Sequence, residues 1–200
     1  MGFRAALNQA KLNSMKKRAE PLGIEILCLN DINTQKLNIK ENVSSPLENA
    51  KIKALACYNT LKMPLFSCDS GLYINELDKT RQPGINVRGI DDTMNDEQAI
   101  THYTQIAKEF GGKVTAQYKN AIVLILNKNQ IYEYMGKDIA SEPFYIVSKP
   151  HPNRNTGFPL DSISVHIESG KYYYDMSSQE KLISKEENGF TSFFKRTLSL

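Results

Sequence analysis

The sequence predicts an α/β protein, a mixed sheet with helices packed on it. Three observations carry that expectation. Apolar residues recur at steps of three and four over 47–61 and 99–110, the spacing of one helix face. Alternating or continuous apolar runs over 23–29, 64–68 and 121–126 have the pattern of strands. Helices and strands alternate through the first half, and closely spaced strands suited to hairpins fill the second.

Phe3 to Ala6 reads as a short first strand. Asn8 to Glu20 reads as a helix, with Leu12 and Met15 facing in, Lys11, Lys16, Lys17 and Arg18 mostly out, and Pro21 ending it. Gly23 to Leu29 alternates like a strand. At Ser45-Pro46-Leu47-Glu48 a helix starts: Ser45 is placed to cap, Pro46 fits the first helical position, and Glu48 is placed to reach back to the Ser45 amide. Loss of such a cap typically costs about 1 kcal/mol. Leu47, Ala50, Ala54, Cys57 and Leu61 give this helix one buried face. Asn49 and Lys53, four apart, present an amide and an ammonium to a common side.

Pro64 to Cys68 is expected to be a strand that runs into a turn at Asp69-Ser70-Gly71. Asn95 opens another helix with Gln98 completing its cap; Ala99, Tyr103, Ile106, Ala107 and Phe110 form its apolar stripe, and Gly111-Gly112 stop it. Ala121 to Leu126 is a fully buried strand, turned by Asn127-Lys128-Asn129 into a hairpin partner over Gln130 to Met135. Phe144 to Val147, Ile163 to Ile167 and Tyr172 to Tyr174 read as further strands. Ser177-Ser178-Gln179-Glu180 starts a short helix, and Gly189 separates it from a last one over Thr191 to Leu198.

The 200 residues suffice for one domain or two closely joined lobes, with a core that needs no covalent staples. A net charge of +3, with both signs dispersed, is too mild for a nucleic-acid binder but allows a local basic pocket for a small anion. Cys28, Cys57 and Cys68 lie in apolar stretches and read as small core residues in a reducing compartment. No apolar run reaches membrane-spanning length and no apolar signal core opens the chain, so the expected location is cytoplasmic, with neither membrane nor nucleic acid as partner.

The chemistry-bearing residues concentrate between Glu41 and Leu72. Each has an ordinary reading: Asp69-Ser70-Gly71 as a turn, Glu48 as a cap, Lys53 as a solvated lysine, Glu41 as part of a polar segment, Asn8 and Lys11 as a helix start. Together they suit a divalent metal and a polyphosphate. Magnesium takes one or two carboxylates plus phosphate oxygens, which Glu41 and Asp69 can supply. Lys11 and Lys53 offer point charges to phosphates, and Asn8 precedes a helix N-terminus that favours an anion.

These segments resemble the inosine/xanthosine triphosphate pyrophosphatases. Ala6-Leu7-Asn8-Gln9-Ala10-Lys11 looks like that family's Thr/Ser-x-Asn-x-x-Lys, and Glu41 through Ala54 is similar to its Glu-x-Gly-x-Thr-Phe-x-Glu-Asn-Ala-x-x-Lys-Ala. Cys68-Asp69-Ser70-Gly71-Leu72 matches its Asp/Glu-Asp-Ser-Gly-Leu, and Pro83-Gly84 follows at a comparable distance. Gly157-Phe158-Pro159-Leu160-Asp161-Ser162 looks like its Gly-Phe-Gly-Tyr/Trp-Asp-Pro.

The resemblance implies a single domain over 1–200, with an elongated mixed sheet, helices on both faces and two lobes around a central cleft. It implies a homodimer that uses magnesium to cleave a nucleoside triphosphate, a deaminated purine by preference, between its α- and β-phosphates. It assigns Asn8 and Lys11 to the phosphate tail, Glu41 and Asp69 to the metal, Asp69 also to the attacking water, and Lys53 to phosphate charge. Asn49 and Ser70 fall within the matched motifs as substrate contacts. Phe158 would pack on the base, Asp161 would lie near base or sugar, and Lys181 could touch the base.

Several positions depart from the pattern. Ala6 lacks a hydroxyl, Val43 and Pro46 replace Gly and Phe, Cys68 replaces an acid, and Pro159 and Leu160 alter the base pocket. Ile183-Ser184-Lys185-Glu186-Glu187 stands where the family has Ser-His-Arg, the trio that reads the purine's oxygens. In the stiff loop Lys149 to Asn155, Arg154 or His151 offers a replacement toward the base edge or a phosphate; the plain alternative is a rigid surface loop. His102 and His166 read as structural. Three further readings stay open: the same chemistry on another nucleotide, a non-catalytic nucleotide binder, and a nucleic-acid module suggested by the basic first helix and Tyr172-Tyr173-Tyr174. Gly111-Gly112-Lys113 is no P-loop, because the upstream glycine and following hydroxyl are missing.

Overall fold

The computed structural model describes residues 2–6, 15–16, 20–28, 43, 45–89, 93–177 and 185–199, with the backbone alone for 2–6, 27–28 and 185–188. The elements are β1 (Gly2–Ala6), β2 (Glu25–Cys28), α1 (Pro46–Leu61), β3 (Leu65–Ile74), α2 (Asp96–Glu109), β4 (Lys113–Asn127), β5 (Gln130–Tyr134), β6 (Phe144–Val147), β7 (Ser164–His166) and α3 (Lys185–Leu198). Short 3₁₀ turns cover Glu20–Leu22, Pro159–Ile163 and Tyr173–Asp175. The strands run in the order β2-β1-β3-β4-β6-β7, with β5 also paired to β4. β1 pairs in parallel with β2 and β3, whereas β4–β5, β4–β6 and β6–β7 are antiparallel, so the sheet is mixed as expected.

Contacts divide the chain into two compact units. The first holds Met1–Ser70, Lys119–Ala140 and Lys185–Leu200, and the second Gly71–Tyr118 and Ser141–Ser184. In the first unit, strand alternation sorts side chains between two helices. Leu65 of β3 and Ala121, Val123 and Ile125 of β4 pack with Ala50, Ala54 and Cys57 of α1. Their neighbours of opposite parity, Phe66, Cys68, Ile122 and Leu124, pack with Phe190, Phe193 and Phe194 of α3. Helices therefore cover both faces of this part of the sheet, which is why 121–126 is apolar without alternation. In the second unit, Leu72, Ile74, Val114, Ala116 and Ile146 bury the α2 residues Ile100, Tyr103 and Ile106.

Several expectations are corrected. Ser45 is the N-cap of α1 and Pro46 its first residue, but the Ser45 side chain makes no cap hydrogen bond; the entry is set by the proline and by the Asn49 amide on the Ser45 carbonyl at 3.0 Å. At Asn95 the full reciprocal cap with Gln98 is present. The expected turn at Asp69-Ser70-Gly71 does not occur. β3 runs unbroken from Leu65 to Ile74, since both its faces are covered and a missing glycine side chain is tolerated beside packed neighbours. Phe110 is 39% exposed, because it caps α2 where Gly111 and Gly112 carry the chain away with φ +80° and +102°.

Ile163 closes a 3₁₀ turn and does not begin a strand; Ser162 and Ser164 hydroxyls bind the Pro159 and Leu160 carbonyls there, each at 2.8 Å. Tyr172 forms a single bridge to Val165 and then enters a 3₁₀ turn, so 172–174 is no strand. Gly189 lies inside α3, not between two helices. A Cβ there would stand 2.2 Å from the Asp138 carbonyl oxygen, so the glycine lets the helix approach that backbone. The helix start at 177–180 and most of the helix expected over 8–20 fall outside the described residues; Met15 and Lys16 are helical, with Met15 buried and Lys16 exposed. Cys57 and Cys68 are buried, as expected of core cysteines.

Candidate active site

The alternation that packs α1 on the sheet also aims its polar side. Asp69 is four residues beyond Leu65 on β3 and shares the face that meets α1. Asn49 and Lys53 stand one turn apart on α1, each directly preceding or close to the buried Ala50 and Ala54. Both reach the same carboxylate oxygen: Asn49 Nδ2 donates to Asp69 Oδ2, and Lys53 Nζ donates to it at 3.1 Å. Asp69 Oδ1 accepts the Ser70 amide at 2.8 Å. Asn49 is 1% and Asp69 8% exposed, so the carboxylate is held almost out of water by charge-assisted donors.

Desolvating such a group typically costs several kcal/mol, and an ion pair returns about that much. Three apolar side chains of equal volume would stabilise the fold as well. The cluster is therefore better understood through its chemistry: a fixed anion, a fixed cation and an amide on rigid backbone, able to bind a hard cation, a phosphate and a water. Among the described residues no group of three His, Cys, Asp or Glu meets. Magnesium takes one or two carboxylates and completes its shell with water and phosphate, so Asp69 beside Lys53 fits that ion. Glu41, the expected second carboxylate, lies outside the described residues, as do Asn8, Lys11 and Lys181.

The remaining expected residues belong to the second unit. Phe158 is 43% exposed, unusual for a side chain of its size. It ends a turn in which its amide binds the Asn155 carbonyl at 2.8 Å, with Gly157 at φ +88° in the third position, where only glycine is unstrained. Asp161 accepts from Asn155 Nδ2 at 2.9 Å across the same turn. Arg154 Nε pairs with Glu97 at 2.8 Å, and its Nη1 donates to the His151 and Asn153 carbonyls.

His151 is committed on both nitrogens. Its Nδ1 accepts the Asn153 amide at 3.1 Å, so Nε2 carries the proton and donates to Asp175 at 3.2 Å. The rings of Tyr172 and Tyr174 flank it at 5.2 and 5.1 Å. His102 lies on α2 with its ring against Tyr103 at 5.0 Å, and burial lowers its pKa. His166 Nδ1 meets the Ser169 hydroxyl at 3.0 Å, a turn contact.

Asp96, Glu97 and Arg88 were missed by sequence reasoning. Asp96 accepts from Arg88 Nη2 at 2.6 Å and from the Gly157 amide at 2.8 Å. Those two bonds, the amide first, hold its carboxyl below the usual range. As residues directly after an N-cap, Asp96 and Glu97 looked like ordinary first-turn acids; nothing local ties them to a loop some sixty positions on.

Comparison with known proteins gives a consistent result. The Ham1 family profile matches residues 3–195. A dITP/XTP pyrophosphatase of Malacoplasma penetrans is 31% identical over 167 residues, 78% of this chain and 78% of that protein. The solved structure of a Ham1 protein from Coxiella burnetii superposes with a TM-score of 0.76 at 20% identity, over 98% of this chain and 99% of that one. The Staphylococcus aureus Ham1 protein gives 0.71 at 20% identity, with the same coverage. At that identity the two structures speak to the fold.

Proposed function

The chain belongs to the Ham1 family, and from that premise we propose that it is a magnesium-dependent nucleoside triphosphate pyrophosphatase acting on (d)ITP- and XTP-like purine nucleotides. The observation that carries the reading is the Asp69 carboxylate, nearly buried on β3 with Asn49 and Lys53 on one of its oxygens. A relative named for dITP and XTP hydrolysis supports the substrate class.

In this reading water attacks the α-phosphorus in line, the bond from that phosphorus to the bridging oxygen breaks, and nucleoside monophosphate and pyrophosphate leave. Asp69 orients the water and takes its proton. Lys53 turns from Asp69 toward the phosphates and offsets the charge that develops on them. Asn49 fixes the carboxylate while the lysine moves, and the Ser70 amide holds its other oxygen. Asp69 and Glu41 would hold magnesium, which when bound supplies positive charge to the phosphate oxygens.

Asn8 and Lys11 take the phosphate tail, Phe158 packs on the base, and Asp161 and Lys181 lie at base or sugar. Arg154 turns to the nucleotide by leaving Glu97; an exposed pair of that kind is worth about 1 kcal/mol or less, so a substrate oxygen competes for it. The working form is a homodimer of single-domain chains in the cytoplasm, to be checked by light scattering and by fractionation. No helix among the described residues is long and apolar enough to cross a membrane.

Pyrophosphate release from ITP, XTP, dITP, GTP and ATP with magnesium tests the proposal. The expected result is release from ITP and XTP at least about tenfold faster than from ATP, since a base-reading contact discriminates by about that factor or more. No pyrophosphate from any nucleotide contradicts it. Ile183-Ser184-Lys185 in place of Ser-His-Arg favours a second reading, the same chemistry with relaxed base choice. Comparable rates on all five nucleotides select that one.

A further inference from the structure

We propose that Asp96, at the start of α2, is a positioning residue that sets base recognition by fixing the turn under Phe158; this rests on Phe158 being the surface on which the base packs. The hydrogen bond of the turn 155–158 uses the Phe158 amide and leaves the Gly157 amide to a partner outside the turn. The Phe158 amide closes the turn on the Asn155 carbonyl, whereas the amide of Gly157, the residue at φ +88°, bonds outside the turn. Asp96 Oδ2 accepts that amide at 2.8 Å.

The other oxygen, Oδ1, accepts from Arg88 Nη2 at 2.6 Å, and Arg88 Nη1 in turn binds the Met94 carbonyl at 3.3 Å, just before the N-cap of α2. Asp96 thus has one oxygen fixed by a guanidinium and the other committed to the turn. Its side chain is 30% and that of Arg88 23% exposed, which leaves the pair partly shielded from water. Arg154 and Glu97 make a second, more exposed tie between the same loop and the same helix turn.

From Phe158 onward the chain is held as well, by the Asp161 amide on the Phe158 carbonyl at 3.2 Å and by Asn155 on Asp161. The only side chain that grips the Gly157 amide is Asp96 among the described residues. An aromatic platform contributes to binding through the angle it presents. Freeing the Gly157 amide lets the peptide before it flip, and the ring's angle changes with it.

Asp96→Asn tests this. An amide cannot keep both bonds where they stand, because Arg88 and Gly157 are bound by different oxygens and one of those positions becomes an NH2 donor. The expected result is KM for ITP raised about tenfold with kcat within twofold, and an unchanged inhibition constant for inorganic tripolyphosphate, which has no base. Combined with Phe158→Ala, the change should add less than twofold to the effect of Phe158→Ala alone, because both act through one ring. Asp96→Ala should follow the same pattern.

Equal losses for ITP and tripolyphosphate, or a double variant whose effects multiply, would overturn the proposal. So would Asp96→Asn with wild-type KM when Phe158→Ala raises it. If Phe158→Ala itself leaves KM unchanged, the base-stacking reading falls first and this inference with it. Circular dichroism and a thermal melt separate these outcomes from misfolding.

Discussion

Asp69 and Phe158 are presented by two differently built regions. Asp69 lies inside a continuous strand and is gripped from an adjacent helix by two residues one turn apart. Phe158 sits on an irregular turn, kept in place by a helix-start carboxylate and by side chains of its own loop. The first arrangement tolerates no drift, because displacement of the carboxylate changes the distance to every group it serves. The second fixes a surface through a few replaceable bonds, so its angle can be tuned by changing residues far along the chain. In the proposed function, reaction chemistry falls on regular elements and recognition on a loop.

Changes on the two sides should separate accordingly. Lys53→Met should lower turnover about 100-fold, as removing one group that stabilises transition-state charge commonly does; Phe158→Ala should lower kcat/KM about tenfold, chiefly through KM. Steady-state pyrophosphate release with ITP distinguishes the two, and a KM effect for Lys53→Met alone would erase the contrast.

Two glycines sharpen it in terms of stability. Gly189→Ala forces a Cβ against the Asp138 carbonyl and should destabilise by about 2 kcal/mol despite better helix propensity. Gly157→Ala meets nothing within 4 Å and should cost only the left-handed backbone, about 1 kcal/mol. Urea melts of the two variants give the comparison, and equal losses would mean that packing at 189 is not what holds the glycine.

The smallest expected difference concerns two helix starts. Asn95→Ala loses a formed capping box and should cost about 1 kcal/mol, whereas Ser45→Ala removes a hydroxyl that caps nothing and should cost less than about 0.5 kcal/mol. The same melts resolve them.

Periodicity made the regular region legible. The steps of Leu47, Ala50, Ala54 and Cys57 fixed the buried face of α1, and with it the common side of Asn49 and Lys53. What the pattern could not show was that Asp69-Ser70-Gly71 continues a strand. Local turn propensity pointed the other way, and burial on both faces decided the matter. Gly189 misled for a related reason: an interior glycine looks like a break until the Asp138 backbone is seen against it. The loop was legible only as a motif. Its supports, Asp96 and Arg88, come from a helix start distant in sequence, and no spacing rule connects them to Gly157.

In the proposed mechanism the Asp69 carboxylate, held by Asn49 and Lys53, is the reaction centre. Magnesium-dependent pyrophosphate release from ITP by wild type and by Asp69→Asn, at saturating nucleotide and with melting temperatures recorded alongside, tests it most directly. Loss of turnover by about 1,000-fold, with a melting temperature lowered by only a few degrees, is the predicted result. An Asp69→Asn protein that turns over ITP within tenfold of wild type would contradict it.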